Sequence, residues 1–151
     1  MQKAYAARRQ GGFTLIEIMV VVVILGILAA FVVPNIMNKP DEARIVKAQQ
    51  DIRALESALS MYKLNNFYYP STQQGLDALV TKPSGEPEAR NYPSGGYIRT
   101  LPKDPWGNPY QYLSPGQKSP DFDIYSLGAD NRPGGEGSAA DIGNWDAAKQ
   151  Q

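Results

Sequence analysis

The hydrophobic pattern divides the chain sharply. From Phe13 to Val33 the sequence is apolar with one acid, Glu17, and the sixteen residues from Ile18 to Val33 carry no charge. With residues 13–16 added, the run approaches the ~20 residues that span a bilayer as a helix. Pro34 interrupts the pattern, and Asn35, Asn38 and Pro40 follow. A proline removes a backbone donor and crowds the preceding turn, so a kink or local unwinding is expected there. Beyond Pro40 apolar positions recur at three- and four-residue steps: Ile45, Ala48, Ile52, Leu55, Leu59 and Tyr62. That spacing predicts an amphipathic helix whose dry stripe needs a cover. As a coiled-coil seam the stripe is short, and the downstream residues need a partner. From Phe13 to about Lys63 the element would be roughly 75 Å long if fully helical, with a membrane half, 13–33, and an amphipathic half, 34–64.

Residues 65–151 read as a small head. Leu64–Pro70 is a break whose aromatics, Phe67, Tyr68 and Tyr69, are expected to pack over the helix. Ser71 or Thr72 can cap a short helix over Gln73–Val80. From Lys82 to Gly96 proline and glycine give turn chemistry without periodicity. Asp104-Pro105-Trp106-Gly107-Asn108 reads as a tight turn, with Trp106 an apolar anchor. It feeds a strand at Tyr110–Leu113, and a second strand fits Phe122–Leu127. The two are expected to pair antiparallel as a small sheet laid on the long helix, an α+β fold.

Composition narrows the chemistry. The chain has 151 residues, 15 basic and 15 acidic side chains, and neither Cys nor His. Neutral charge gives no sign of nucleic acid. Without Cys or His there is no disulfide, and neither a Cys/His nor a Ser-His-Asp arrangement is available. The balance is uneven along the chain. Residues 1–12 hold Lys3, Arg8 and Arg9 and no acid, leaving 12 basic against 15 acidic side chains beyond them.

Positive charge ahead of the apolar run favours a cytoplasmic N-terminus. A secretory signal peptide fits poorly, because Leu28-Ala29-Ala30-Phe31 is a weak cut site and Glu17 would sit inside its core. A plain signal anchor explains the span but neither Gly12 nor Glu17. Gly12-Phe13-Thr14-Leu15-Ile16-Glu17, behind a basic leader and ahead of an uninterrupted apolar helix, resembles the processing site of type IV pilins and pseudopilins. The resemblance implies that a prepilin peptidase cuts between Gly12 and Phe13, that Phe13 becomes an N-methylated N-terminus, and that Glu17 is the family's assembly glutamate. It also implies a helix that continues past Pro34 and a kink there that melts on assembly.

The chemistry of the motif agrees. A charged side chain in hydrocarbon costs roughly 2–3 kcal/mol or more at the membrane centre and less near an edge. The ammonium freed on Phe13 of one copy can neutralise Glu17 of the next, which offsets that cost and fixes stagger between subunits. The plainer reading is that Glu17 snorkels to the interface.

The tail carries Asp130, Glu136 and Asp141 among Gly128, Gly134, Gly135 and Gly137, then returns to apolar residues at Ile142 and Trp145. By composition alone a disordered acidic tail and a loop folded over a hard cation stand level; Trp145 argues for the folded loop. EF-hand spacing is absent. Ser126-Leu127-Gly128-Ala129-Asp130 and Ala140-Asp141-Ile142-Gly143-Asn144-Trp145 resemble the calcium loop of the major pseudopilins of type II secretion, and Met61–Asn66 with Tyr69–Leu76 resemble the corresponding part of the head in the same family. That resemblance implies Ca2+ held by side-chain oxygens of Asp130 and Asp141 and backbone carbonyls of Leu127 and, more weakly, Ser138. Many relatives have a further aspartate where this chain has Ala139 and Ala140; Glu136, a backbone oxygen or water would substitute. An ion closing the loop without thiols favours pseudopilin over pilin.

The resemblance covers Gly12 to Trp145. It implies a structural subunit, not an enzyme. Anchored once in the bacterial inner membrane with its head in the periplasm, it would polymerise into a helical homo-oligomer. Its partners would be the prepilin peptidase, minor pseudopilins and an inner-membrane assembly platform, and its work the export of folded proteins across the outer membrane. The alternatives are a type IV pilin for adhesion, motility or DNA uptake, a membrane-anchored hydrolase using Asp121, Asp123 or Asp130, and an anchored binding module.

Overall fold

The structure, a computed structural model, describes residues 12–37 and 39–146; side chains of 30–39 lie outside the description. Contacts divide the chain into two compact units that meet in sequence between Lys39 and Pro40. The first unit holds helix α1, Leu15–Met37. Helical backbone runs through position 34, so Pro34 does not end the helix. The assembly role expected of Pro34 falls on a side chain outside the description.

The second unit is built on helix α2, Lys39–Asn66. Its stripe is buried as its spacing requires: Ala48, Ile52, Leu55, Leu59 and Tyr62 are at most 2% exposed, and Ile45 packs at the margin. Asp41 and Glu42 lie in the first turn of α2 and Lys63 in the last, each complementing the helix dipole. The cover comes from the short 3-10 turn Leu76–Leu79, from Ala89, and from a three-stranded antiparallel sheet. Its strands are β1, Gln111–Leu113; β2, Asp123–Ser126; and β3, Ile142–Gly143, in the order β1-β2-β3. Tyr112 faces Ile124 across β1 and β2, and Ser126 faces Ile142 across β2 and β3. Tyr110, Tyr112, Phe122, Ile124 and Ile142 close the core over α2.

Several details differ from expectation. β1 and β2 are shorter at their ends than predicted. β2 does not alternate cleanly, because Asp123 is buried beside Ile124. The helix expected over Gln73–Val80 shrinks to one 3-10 turn, because Gly75 at φ 61° breaks the helical path ahead of it. Ser71 does act as a cap, but for the turn before it: Gln74 N–H donates to Ser71 Oγ at 3.3 Å, while Ser71 N–H donates to Gln74 Oε1 at 3.0 Å. Thr72 is spent elsewhere, pairing reciprocally with the Ser114 backbone. Tyr68 and Tyr69 pack on the core, but Phe67 is 83% exposed and sits at φ 72° just past the end of α2. There its N–H closes the last turn onto the Lys63 carbonyl, a left-handed closing position that favours glycine or asparagine.

Candidate functional site: the N-terminal helix and the C-terminal loop

Gly12 and Phe13 lie exposed just ahead of α1, and nothing comes within 4 Å of a Cβ built at Gly12. Packing therefore does not dictate the glycine. Thr14 caps the helix. Glu17 Oε2 accepts hydrogen bonds from the Thr14 N–H at 2.7 Å and the Thr14 hydroxyl at 2.8 Å, while Glu17 N–H donates to Thr14 Oγ1 at 3.3 Å. This is a capping box, with its Thr at the cap and its Glu three residues later. Glu17 thus has a local partner that the reading as a purely intermolecular acid overlooked.

Every large apolar side chain from Leu15 to Leu28 is at least 49% exposed. Such a continuous apolar surface marks contact with lipid or with other proteins. Among the described residues no helix is long and apolar enough to cross a membrane. Side chains are described only as far as Ala29, and the expected span, 13–33, runs beyond that point.

In the head, the two tail segments meet at Gly128. The Ala129 N–H donates to the Ser138 carbonyl at 2.9 Å. A Cβ at Gly128, which lies at φ 69°, would come within 2.8 Å of the Ser138 and Ala140 carbonyl oxygens. Only glycine allows this approach. Asp141, at the edge of β3, has a buried Oδ1 without a hydrogen-bond partner. Asp130 is exposed and accepts the Arg132 N–H at 3.1 Å. Glu136 is exposed, and Leu127 is half-buried between Ser126 and Gly128. Among the described residues no group of three or more acidic, His or Cys side chains converges as a metal cluster.

The carboxylates considered for hydrolysis have separate surroundings. Asp121 is exposed and 3.8 Å from Lys63. Asp123 is buried and accepts N–H bonds from Gln117, Lys118 and Ser119 at 2.7–2.9 Å. Burial pushes its pKa up, but those donors outweigh it and hold the carboxyl below its ordinary value. Asp123 therefore staples the Gln117–Ser119 turn. Trp145 is half-buried, 5.5 Å from the Tyr125 ring, with Lys118 Nζ 3.9 Å above it. The tail that carries it is folded back onto the sheet.

Sequence reasoning gave no role to Asp104. It is 4% exposed, accepts the Trp106 and Asn108 N–H groups through Oδ1, and takes the Ser126 hydroxyl on Oδ2 at 2.6 Å. The Asp-Pro-Trp-Gly-Asn turn signalled the first two bonds; nothing local signalled the third.

Residues 35–145 match the family profile described as type II secretion system (T2SS), protein G, and residues 7–33 match the prokaryotic N-terminal methylation motif. The chain belongs to the type II secretion system protein G family. It is 66% identical over 139 residues to the type II secretion system core protein G of Pseudomonas aeruginosa, covering 92% of this chain and 97% of that protein. The Vibrio cholerae core protein G is 65% identical over 138 residues, covering 91% of this chain and 93% of that protein. The crystal structure of the major pseudopilin from the type 2 secretion system of enterohaemorrhagic Escherichia coli matches with a TM-score of 0.67 at 56% identity, covering 76% of this chain and 97% of that one. The protein G family accounts for the helix-plus-small-sheet head, and it is a family of structural pseudopilin subunits, not a known enzyme family. A pilin for adhesion, motility or DNA uptake is not favoured. The methylation motif encloses Gly12, Phe13, Thr14 and Glu17, the residues around the capping box.

Proposed function

We propose that this chain is the major structural subunit of a type II secretion pseudopilus, assembled through α1 and stiffened by a cation in its C-terminal loop. The observation that carries the proposal is α1 itself: a capped helix with an unbroken exposed apolar surface, set inside a methylation motif. Cleavage after Gly12 leaves Phe13 with a new ammonium, one peptide bond ahead of the Thr14 cap. Methylation keeps that nitrogen cationic. In the filament it meets Glu17 of a neighbouring copy, whose carboxylate retains acceptor capacity beyond the two Thr14 bonds. A heterologous contact repeated this way grows without closing. Prepilin peptidase, minor pseudopilins and the inner-membrane platform are the partners this route needs, with the head in the periplasm.

The loop residues suit Ca2+. Asp141 offers a buried oxygen with no proton donor, and Gly128 lets the 127–130 and 138–141 segments touch. Asp130 and Asp141 side chains with the Leu127 and Ser138 carbonyls would hold the ion, and water would complete the shell. When bound, the ion cross-links two loop segments that no disulfide joins.

Complementation tests the proposal. In a strain lacking this chain, restoring it should restore both secretion of folded exoproteins and filaments visible by electron microscopy on overproduction. Secretion restored by a chain that stays dispersed and monomeric would contradict it.

A further inference from the structure

We infer that Asp104 is a positioning residue for the cation loop, acting through Ser126; the inference rests on the calcium reading above. Asp104 is buried, and no cation pairs with it among the described residues. Its Oδ1 is occupied by the Trp106 and Asn108 N–H groups, so Oδ2 is left to take the Ser126 hydroxyl at 2.6 Å. A hydroxyl has one proton. Ser126 donates that proton to Asp104 Oδ2, so the Ser126 oxygen faces its lone pairs elsewhere. One of them receives the Gly128 N–H at 3.1 Å. The relay therefore runs from the turn at 104–108, through the last residue of β2, into the backbone of the loop.

Its end point matters because of what Gly128 touches. The glycine is pressed against the Ser138–Ala140 backbone, and the next residue, Ala129, bonds the Ser138 carbonyl. Ser126 is also paired with Ile142, next to Asp141. Orienting Gly128 thus sets the register of the segment carrying Leu127 and Asp130 against the one carrying Ser138 and Asp141. Asp104 need not touch the ion to decide whether the oxygens converge on it. At 2.6 Å the bond from Ser126 lies at the short end for hydroxyl donors, which suits a fixed orientation rather than a mobile one.

The test is calcium titration calorimetry of the full chain in detergent, with the melting midpoint in chelator measured alongside. Asp104→Asn keeps an oxygen for the turn but puts a donor where Ser126 needs an acceptor. Ser126→Ala removes only a hydroxyl, so it decides the matter alone if Asp104→Asn does not fold. Each variant should weaken calcium binding at least tenfold. The double variant should be no more than about twofold worse than either single one, because the two residues act as one unit. Variants that melt earlier in chelator yet bind calcium as tightly as the parent would overturn the relay and leave the calcium reading standing. A parent chain that binds no calcium would overturn both.

Discussion

Thr14 and Glu17 cap α1 by bonding one another, the carboxylate taking the Thr14 N–H and hydroxyl at 2.7 and 2.8 Å. Glu17 therefore has two tasks in this account, one within its own helix and one toward a neighbour. The tasks separate by mutation. Glutamine serves a capping box nearly as well as glutamate but carries no charge. Glu17→Gln should insert into the membrane and be processed normally, yet give few or no filaments. Membrane fractionation followed by electron microscopy checks this, and filament yield equal to the parent would refute the intermolecular pairing. Glu17→Ala should lose assembly too, and in addition start its helix less well.

Calcium should raise the melting midpoint of the full chain in detergent, and chelator should reverse the rise. Asp141→Ala should abolish the shift, and Asp130→Ala should reduce or abolish it, even though Asp130 is exposed in this structure. Differential scanning calorimetry with and without chelator is the measurement.

Asp123 makes the head acid-sensitive. Its folded pKa lies below its ordinary value because three N–H donors outweigh burial. The stability it contributes is thus complete above the ordinary aspartate range and is lost as pH falls through the lower folded value. Denaturant unfolding at neutral pH and near pH 3 should show this loss, and Asp123→Asn should flatten it. Asp123→Ala leaves the three donors without their acceptor and should cost about 1–3 kcal/mol at neutral pH.

The core and the exposed end of α2 should respond oppositely. Leu59 and Ile124 are fully buried, so Leu59→Ala or Ile124→Ala should cost about 2–5 kcal/mol. Phe67 is exposed in a left-handed conformation, so Phe67→Gly should be neutral or stabilising by up to roughly 1 kcal/mol, from relieved strain. Urea midpoints distinguish the two cases.

The parts of the fold that were legible in the sequence are those written in a local period. The α2 stripe from Ile45 to Tyr62 names its own buried face, and β1 and β2 sit where β-favouring residues follow turn signals. β3 was not legible, because two residues, Ile142 and Gly143, carry no period and owe their strand to pairing with Tyr125 and Ser126. The aromatic run misled at Phe67, where helix closure turns one ring outward while Tyr68 and Tyr69 turn in. At the N-terminus the Thr-x-x-Glu spacing is itself a capping signal, and Thr14 and Glu17 fulfil it. The Asp104–Ser126 bond joins residues 22 positions apart, and only the folded chain brings them together.

Mass spectrometry of the chain extracted from cell membranes tests the central claim most directly. The account predicts a polypeptide that begins at Phe13 and carries one added methyl group on its N-terminal nitrogen. Filaments built from chains that still hold residues 1–12 would contradict it, because no ammonium would then exist at Phe13 to meet Glu17.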